Sequence, residues 1–358
     1  MDDLRGVLLD RRVLLKALRG RPVFERVDLY AAAAKELGCN VVLFSASSID
    51  FKTNSVVGYV PDEQGTFRRT RTPIPKVVHN RSLISRYPFG LKTLRRLARR
   101  GVHVFNPVID HDKYNVHKLL RENASLRPYL PETVALARES WPWFKSRLPG
   151  HGEIFLKPRR GSLGWGIVRV RRLRNGLYRY EGSGIVRTGS LRRIWRLALR
   201  LRRRRYLLQE GIDLATIDGH RFDLRVPVQR DASGNWRVPG MAAKRSEAHP
   251  FLTNIARGGS ALKLGDAIRR GIPGADEAAI RRRVEKVALM VAETLAARYP
   301  ALADIGLDIG LDKTGRPFLI EVNRRDLRII LNEAGEDAVY AELYRNPLAY
   351  AGHLAQAG

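Results

Sequence analysis

Three oxygen-bearing side chains near the carboxyl-terminal end of the chain could together hold a metal ion. Asp308 lies in one apolar run, and Glu321 and Asn323 lie in the next. Because side chains alternate along a strand, Glu321 and Asn323 share a face. Two carboxylates and an amide oxygen are hard ligands that suit Mg²⁺ or Mn²⁺ better than zinc, and such sites usually complete their coordination with phosphate oxygens. Solvated acids on a surface hairpin are the alternative explanation of this pattern.

A β-hairpin is the predicted element that positions these ligands. The apolar runs Ile305–Leu311 and Pro317–Val322 flank the turn-forming stretch Asp312–Gly315. Pairing of the two runs can bring Asp308 beside the two ligands of the second strand.

A second group of candidates could bind phosphate. Lys157 ends a predicted strand, and Gly161, Gly164 and Gly166 follow it before the next strand. Glycines let backbone N–H groups approach phosphate closely. The loop lacks the GxxxxGK[ST] sequence of a Walker loop and does not open a helix as a Rossmann fingerprint does, so an ordinary β-turn is the alternative. Lys113 opens a predicted helix, where a lysine is unfavourable beside the helix dipole unless an anion offsets it; an exposed lysine is the alternative there.

Charged side chains line one face of the predicted strand Arg221–Gln229. Arg221, Asp223 and Arg225 alternate along it and therefore share that face. Two arginines that flank an aspartate are rarely present for packing. They suit a phosphate or a carboxylate ligand.

Composition excludes several classes of protein. The chain has 358 residues and is 44% hydrophobic, which predicts two or three folded domains rather than disorder. No apolar run approaches the roughly 20 residues that cross a bilayer, and the start, Met1–Asp3, lacks the pattern of a signal peptide. The single cysteine, Cys39, excludes an internal disulfide and a Cys-rich zinc site. These features predict a soluble cytoplasmic protein.

The chain is strongly basic, with a net charge of +29 from 65 basic and 36 acidic residues. The basic residues are mostly arginine, which fits two explanations: genomic base composition and a polyanionic partner such as nucleic acid, an acidic polymer or a membrane surface. The predicted helix Ser190–Arg204 has an arginine-rich face opposite an apolar face. A solvated basic face is the default interpretation, and no RNA-binding or helix-turn-helix motif accompanies the charge.

The amino-terminal 108 residues alternate short apolar runs with helical patterns. This alternation predicts a small parallel α/β domain. One predicted strand ends at Asn80 and Arg81, where a substrate could be met, although a turn is the commoner reason for such a pair.

The order of these features resembles the ATP-grasp superfamily. Within it, Gly306–Lys313 together with Leu319–Asn323 is similar to the endospore coat-associated YheC/YheD family, and the Asp-x-Arg and Asn…Gly-Gly elements resemble RimK-type glutamate ligases. The features are, in chain order, Lys113, Lys157 with its glycine loop, Gln209–Ile212, Asp223–Arg225, Asn254 with Gly258–Gly259, Asp308, and Glu321–Asn323.

The resemblance covers nearly the whole chain from about residue 110, and it implies an ATP-grasp fold of mixed α/β (α+β) class. Residues 1–108 would be the α/β domain that precedes the ATP-grasp domain, and residues 109–358 the ATP-grasp domain itself. Within the latter, a small nucleotide-clamping lobe would span about 131–212 and a metal-binding lobe about 213–335.

The resemblance implies ATP and two Mg²⁺ (or Mn²⁺) ions as cofactors. Lys113 and Lys157 would hold the α- and β-phosphates, and the glycine loop would fold over the triphosphate. Glu210 would take the adenine amino group, and the backbone near Gly211 and Ile212 the ring nitrogen. The implied metal ligands are Asp308, Glu321 and Asn323, and the implied nucleotide site comprises Lys113, Lys157, Gly161, Ser162, Gly164, Gln209, Glu210, Gly211, Ile212, Asp223 and Asn254.

The implied activity is a carboxylate–amine ligase that works through an acyl phosphate and releases ADP and phosphate. Its substrates would be a carboxylate and an amine, with amino acids or peptides as the expected class. Divalent ions and an arginine would offset the repulsion between the carboxylate and the triphosphate. Arg225 is the first choice for that arginine, and Arg245 is the second.

Two other classes of function stay open at this point. One is an ATP-binding structural protein of the spore coat with little turnover, with spore-coat proteins as partners. The other, a polyanion-binding protein, rests only on charge.

Two departures from the superfamily pattern leave the substrates undetermined. Gly306 stands where many members have an arginine, and Arg324–Leu327 replaces a Ser/Thr-x-Pro-Gly turn.

Overall fold

The computed structural model describes residues 3–107, 112–161, 164–182, 184–246 and 259–357. Within these ranges the chain forms three β-sheets, each with helices packed against it. No helix among the described residues is long and apolar enough to cross a bilayer.

The first sheet is built from the amino-terminal part of the chain. Its strand order is β3-β4-β2-β1-β6-β7, with β5 added beside β4, and β2, β1, β6 and β7 run parallel. The predicted parallel α/β unit is therefore present. The strands are β1 (Leu4–Leu8), β2 (Asn40–Phe44), β3 (Ile49–Asp50), β4 (Ser55–Pro61), β5 (Phe67–Pro73), β6 (Val77–Asn80) and β7 (His103–Phe105), and the helices are α1 (Arg11–Leu18), α2 (Val27–Glu36) and α3 (Pro88–Ala98).

The second sheet is antiparallel, in the order β12-β11-β10-β9-β13-β8. Strand β9 ends at the predicted phosphate lysine, and the glycine-rich loop joins it to β10 as expected. The elements are α4 (Lys113–Glu122), β8 (Thr133–Ala135), α5 (Trp141–His151), β9 (Glu153–Pro158), β10 (Val168–Arg172), β11 (Tyr178–Gly182), β12 (Ile185–Gly189), α6 (Leu191–Leu199) and β13 (Tyr206–Glu210).

The arginine-rich helix α6 packs its apolar side onto this sheet. Ile194, Trp195 and Ala198 are buried, whereas Arg192 and Arg196 are exposed. This arrangement is that of a solvated basic face.

The third sheet is antiparallel, in the order β18-β17-β15-β19-β20, with β14 and β16 also paired to β15. The long helix α8 buries its apolar face, including Val284 and Leu295, against it. The elements are β14 (Thr216–Ile217), β15 (His220–Arg230), β16 (Trp236–Arg237), β17 (Ala242–Arg245), β18 (Ser260–Lys263), α7 (Leu264–Gly271), α8 (Glu277–Arg298), β19 (Asp304–Leu311), β20 (Pro317–Asn323), α9 (Ile329–Glu333) and α10 (Asp337–Ala357).

Some element predictions were wrong, and the reasons are local. The residue pattern of Trp236–Lys244 predicts one strand, but two short strands form there because Pro239 and Gly240 interrupt the ladder. The helices α1, α7 and α10 and the edge strand β12 were not expected.

Helix α10 joins the third sheet to the first. It contacts both β15 and β6. Its Tyr344 packs edge-on against Tyr30 of α2, with the ring centroids 4.9 Å apart. The carboxyl-terminal helix therefore completes the core beside the amino-terminal sheet. No local sequence pattern predicts this packing.

Candidate active site

The candidate site is a cavity of about 820 Å³ that opens between the second and third sheets. One wall comes from strands β9 and β13, and the other from β15, β17, β19 and β20. The segment that follows β20 closes one end. The predicted residues that line this cavity are Lys113, Lys157, Gly161, Gly164, Gln209, Glu210, Ile212, Asp223, Arg225, Asp308, Glu321 and Asn323.

The register of the third sheet places the acidic ligands side by side. Arg225 pairs with Asp308 across β15 and β19, and Asp308 pairs with Glu321 across β19 and β20. A β-bulge follows Asp308, at the step to Ile309. Asn323 donates from Nδ2 to Asp308 Oδ2 at 3.2 Å. The hairpin thus brings together the two carboxylates and the amide that the sequence pattern singled out.

Two cations hold the Asp308 carboxylate. Arg225 Nη2 lies 3.2 Å from Asp308 Oδ1, and Lys244 Nζ lies 3.1 Å from the same oxygen. Lys244 Nζ is also 2.9 Å from Asp223 Oδ1. Burial opposes ionisation of Asp308, but Arg225 and Lys244 outweigh it and lower the pKa of this carboxyl group. Asp308 is therefore an anion in a site already rich in charge.

The two predicted phosphate lysines face this acidic row from the other side of the cavity. Lys113 Nζ is 3.4 Å from Glu321 Oε1 and donates to the carbonyl oxygen of Gly161 at 2.8 Å. Lys157 donates to Gln209 Oε1 at 2.6 Å. Burial in the cavity lowers the pKa of Lys157 to about 8. An anionic ligand here would raise that pKa again.

The glycine loop adopts backbone conformations that glycine favours. The φ angles of Gly164 and Gly166 are 68° and 76°. The Tyr206 hydroxyl donates to the carbonyl oxygen of Gly166 at 2.9 Å, so the loop is anchored to β13. Ser162, which was expected in this loop, lies outside the described residues.

The opposite end of the cavity is less polar. Phe155, Ile212 and Leu214 line it. Glu210 Oε1 accepts the backbone N–H of Glu132 at 2.6 Å, and the Gly211 N–H donates to the Glu153 carbonyl oxygen at 3.1 Å. An apolar surface with a carboxylate at its edge suits an aromatic base with an exocyclic amine.

Arg245 is not where its predicted role requires. Side chains alternate along β17, and Lys244 faces Asp223 in the cavity, so Arg245 points to the other side. There its Nη1 lies 2.7 Å from Asp218 Oδ2. Lys244 is the β17 cation of this site and the sequence reasoning missed it. Alternation separates the two residues, but only the register of β17 against β15 decides which one faces inward. Asn254, another predicted site residue, lies outside the described residues.

The fold agrees with comparisons to known proteins. A family model described as YheC/D-like ATP-grasp matches residues 101–354. The chain belongs to this YheC/D-like ATP-grasp family. It is 24% identical over 338 residues to the endospore coat-associated protein YheD of Bacillus subtilis (strain 168), covering 90% of this chain and 72% of that protein. It is also 24% identical over 333 residues to YheC of the same organism, covering 90% of each chain.

Solved structures show the same fold at low sequence identity. A D-alanine–D-alanine ligase from Bacillus anthracis has a TM-score of 0.56 at 12% identity, with 99% of this chain and 98% of that chain covered. The D-cycloserine synthetase DcsG has a TM-score of 0.54 at 14% identity, with 99% of both chains covered. The predicted ATP-grasp fold with a preceding α/β unit is therefore confirmed.

The glycine that departs from the ATP-grasp pattern has a structural reason in this family member. A Cβ atom added at Gly306 would lie 2.9 Å from Arg225 Nη1 and 2.9 Å from Asp326 Cβ. Arg225 Nη1 also lies 3.4 Å from Asp326 Oδ1. The space above position 306 is thus filled by an ion pair, and the guanidinium comes from β15 rather than from β19.

The segment that replaces the usual turn after Asn323 brings two more arginines into the cavity wall. Arg324 donates from Nη1 to Ser85 Oγ at 2.8 Å, and Arg325 Nη1 lies 3.0 Å from Asp10 Oδ2. Burial, with the nearby Arg86 and Arg325, lowers the pKa of Arg324 to about 10. Both contacts join the ATP-grasp part of the chain to the amino-terminal sheet.

Arg81 follows a predicted strand, where it could have contacted a substrate, but in the structure it forms a buried ion pair. It is fully buried and its Nη2 lies 2.6 Å from Glu25 Oε1.

Proposed function

We propose that this protein is an ATP- and Mg²⁺-dependent carboxylate–amine ligase that works through an acyl phosphate. The observation that carries the proposal is the meeting of Lys113 and Lys157 with the Asp308–Glu321 pair across one cavity. Lysines suit phosphates, and paired carboxylates suit the divalent ions that accompany them.

The side chains present fit a magnesium site that is completed by a nucleotide. No cluster of three or more His, Cys, Asp or Glu side chains suited to a metal occurs in the described part of the chain. Asp308, Glu321 and Asn323 offer two carboxylates and one amide, and phosphate oxygens together with water would supply the further ligands. Bound Mg²⁺ would supply charge stabilisation for the transferring phosphoryl group. Two ions are proposed because two carboxylates stand side by side.

The charges around the proposed phosphate and metal positions support the binding of a metal–nucleotide complex rather than a free anion. Around these positions, four cations face four carboxylates, and further charged residues such as Arg221, Arg324 and Arg325 line the rest of the cavity. A triphosphate accompanied by divalent ions leaves this balance nearly unchanged. The cations are Lys113, Lys157, Lys244 and Arg225, and the carboxylates are Asp223, Asp308, Glu321 and Asp326.

We assign the phosphates and the base of the nucleotide to opposite ends of the cavity. We assign the phosphates to Lys113 and Lys157, and the base to the apolar end, with Glu210 accepting from its amine and Ile212 beside the ring. Gly161 and Gly164 would let the loop close over the triphosphate and exclude water.

The reaction needs positioning and charge rather than a covalent nucleophile. A substrate carboxylate oxygen attacks the γ-phosphorus, the bond to the β-phosphate oxygen breaks, and ADP leaves. The amine then attacks the acyl carbon, loses a proton, and phosphate leaves. Arg225, held by Asp308 and Asp326, would face the charge on the transferring group. Lys244 would keep Asp308 and Asp223 in place as a positioning residue.

The fate of labelled oxygen tests this mechanism. With a panel of ¹⁸O-carboxyl amino acids and short peptides, and with hydroxylamine as the amine, we expect one label in the released phosphate and a hydroxamate product. Mass spectrometry measures both products. Release of AMP, or phosphate without label from an acid that is turned over, would exclude the acyl phosphate.

Substitution of Glu321 tests the metal role without relying on turnover. In Glu321→Gln, we expect the Mg²⁺-dependent part of ATP affinity to fall by about 10- to 100-fold, because one carboxylate becomes neutral. Metal-free ATP should bind at least as well as in the parent, because Lys113 loses its carboxylate partner. Calorimetry with and without Mg²⁺ measures both effects. The control is Glu293→Gln on the exposed face of α8, and an unchanged Mg²⁺ effect in Glu321→Gln would remove the hairpin from the metal site.

The pKa of Lys157 predicts how ATP affinity depends on pH. This amine has a pKa of about 8 in the free protein, so it is charged below pH 8 and mostly neutral above it. A phosphate binds the charged form, and the dissociation constant of Mg-ATP should therefore rise by about tenfold per pH unit above pH 8. Calorimetry from pH 7 to pH 9.5 measures the slope. In Lys157→Arg the guanidinium stays charged and the profile should be flat; a matching slope in both proteins would assign the titration to another group.

A second candidate function is an ATP-binding structural protein of the spore coat. The names of YheC and YheD as endospore coat-associated proteins favour it. It shares the proposed nucleotide site but predicts ATP binding with no acid-dependent ADP release across the whole panel.

A further inference from the structure

The end of the cavity beyond the metal ligands carries three arginines that the proposed reaction does not use. Arg324 and Arg325 follow β20 directly, and Arg86 faces them from the amino-terminal part of the chain. All three line the same cavity as Asp308 and Arg225. Burial lowers the pKa of Arg324, and the charges of Arg86 and Arg325 lower it further.

Most of this positive charge has no carboxylate partner. Arg325 is paired with Asp10 and stacks over the Phe24 ring at 4.6 Å. Within the described ranges, neither Arg86 nor Arg324 has a carboxylate within salt-bridge distance. Glu333 also lines the cavity, but among the described residues it makes no ion pair with Arg86, Arg324 or Arg325. Burial raises the pKa of its carboxyl group.

One donor of this group is buried and unused. Arg324 Nη1 donates to Ser85, but Arg324 Nη2 is inaccessible to solvent and finds no acceptor in the described part of the chain. A buried guanidinium donor without an acceptor is costly, so such groups normally have a partner. A guanidinium presents its donors in a planar fork that matches a carboxylate or a phosphate. An oxyanion would satisfy this donor.

We propose that Arg86, Arg324 and Arg325 bind a second oxyanion of the acyl substrate, so that the substrate is an acid with two anionic groups. This inference rests on the proposed ligase function. One carboxylate would lie beside Arg225 for phosphorylation, and the other group, a carboxylate or a phosphate, would lie against the three arginines.

Binding to matched acids tests the subsite. The probes are glutarate, 4-phosphonobutyrate and pentanoate, with the shorter pair succinate and butyrate and the longer pair adipate and hexanoate. Each is titrated into protein saturated with Mg²⁺ and a non-hydrolysable ATP analogue. We expect at least one dianionic acid to bind about tenfold or more tightly than its monoanionic counterpart. The carboxylate and phosphonate arms identify the preferred second group. Equal affinities within every pair would overturn the proposal.

Two substitutions check that the arginines cause the preference. Arg86→Gln changes an exposed side chain and should fold normally, whereas Arg324→Gln tests the buried donor. Each substitution should lower the affinity for the dianionic acid by about tenfold and leave the affinity for the matching monoanionic acid unchanged. Arg86→Glu should shift the preference toward 5-aminopentanoate. The control is Arg237→Gln, a mostly exposed arginine paired with Asp231. Unchanged preference in both Arg86→Gln and Arg324→Gln would overturn the assignment.

The failure of this inference and that of the ligase proposal give different results. If a dianionic acid binds through the arginines but yields no hydroxamate, the subsite stands and the ligase function fails. If hydroxamates form equally well from monoanionic acids, the ligase function stands and the subsite fails.

Discussion

Replacing Arg225 by alanine is expected to slow acid-dependent ADP release by about 10³- to 10⁵-fold. Arg225 is held between Asp308 and Asp326, at 3.2 and 3.4 Å, and lines the cavity beside the proposed metal ligands. Its charge is fixed before the reaction, so it can stabilise the transferring phosphoryl group without reorganisation. Single-turnover kinetics with an active acid measure the effect.

ATP binding separates this effect from loss of the site. The dissociation constant for Mg-ATP in Arg225→Ala should change by only a few-fold, because the arginine acts mainly in the transition state. Arg225→Lys retains the charge but not the paired geometry of the guanidinium. Its rate of ADP release should therefore lie between those of the parent and the alanine variant. If Arg225→Ala released ADP at the parent's rate and Arg245→Ala released it much more slowly, Arg245 would be the arginine that stabilises the transferring phosphoryl group.

Replacing Asp304 by asparagine is expected to lower the free energy of unfolding by about 3–5 kcal/mol, because it removes the carboxylate paired with the buried Arg328 and one of the two paired with the buried Arg81. Asp304 is fully buried. Its Oδ2 accepts from Arg328 at 2.8 Å and from Arg81 at 3.4 Å, and its Oδ1 accepts from Gln229 at 3.0 Å. Denaturant unfolding at neutral pH measures the change.

An exposed ion pair provides the matched control. Asp266 pairs with Arg269 one turn away on α7, where both side chains are largely exposed. Asp266→Asn should therefore change the free energy of unfolding by less than about 1 kcal/mol. Similar stabilities for the Asp304→Asn variant and the parent would mean that this network contributes little to folding.

The Asp304 network also links distant parts of the chain. Arg81 comes from the end of β6, Asp304 begins β19, and Arg328 lies just before α9. The guanidinium of Arg328 stacks over the Tyr344 ring at 4.4 Å. We therefore expect the amino-terminal sheet and the ATP-grasp part to unfold together in the parent protein.

Local patterns were sufficient for part of the site. Alternation placed Glu321 and Asn323 on one face, and the turn at Asp312–Gly315 brought Asp308 opposite Glu321. The glycine loop between β9 and β10 could also be predicted from the sequence, because glycine spacing after a strand is a local signal. These features depend only on residues that are close in sequence.

Other parts of the fold could not be predicted from local sequence. The long helix α10 contains Pro347 and has weak amphipathic character, because it is buried against both β6 and β15. The arginine-rich helix α6 was recognised, because its apolar positions recur at helical spacing. A helix that packs on several sides loses that periodic contrast.

The sequence by itself determined the residue types at the site, the hairpin that carries Asp308, Glu321 and Asn323, and the class of ligand that these residues suit. Tertiary structure decided which cations accompany them. Lys244 rather than Arg245 faces Asp308 because the register of β17 against β15 sets the inward face. The physical reason is that register and burial are properties of the packed sheets, in which one strand's side chains gain their partners only from other strands.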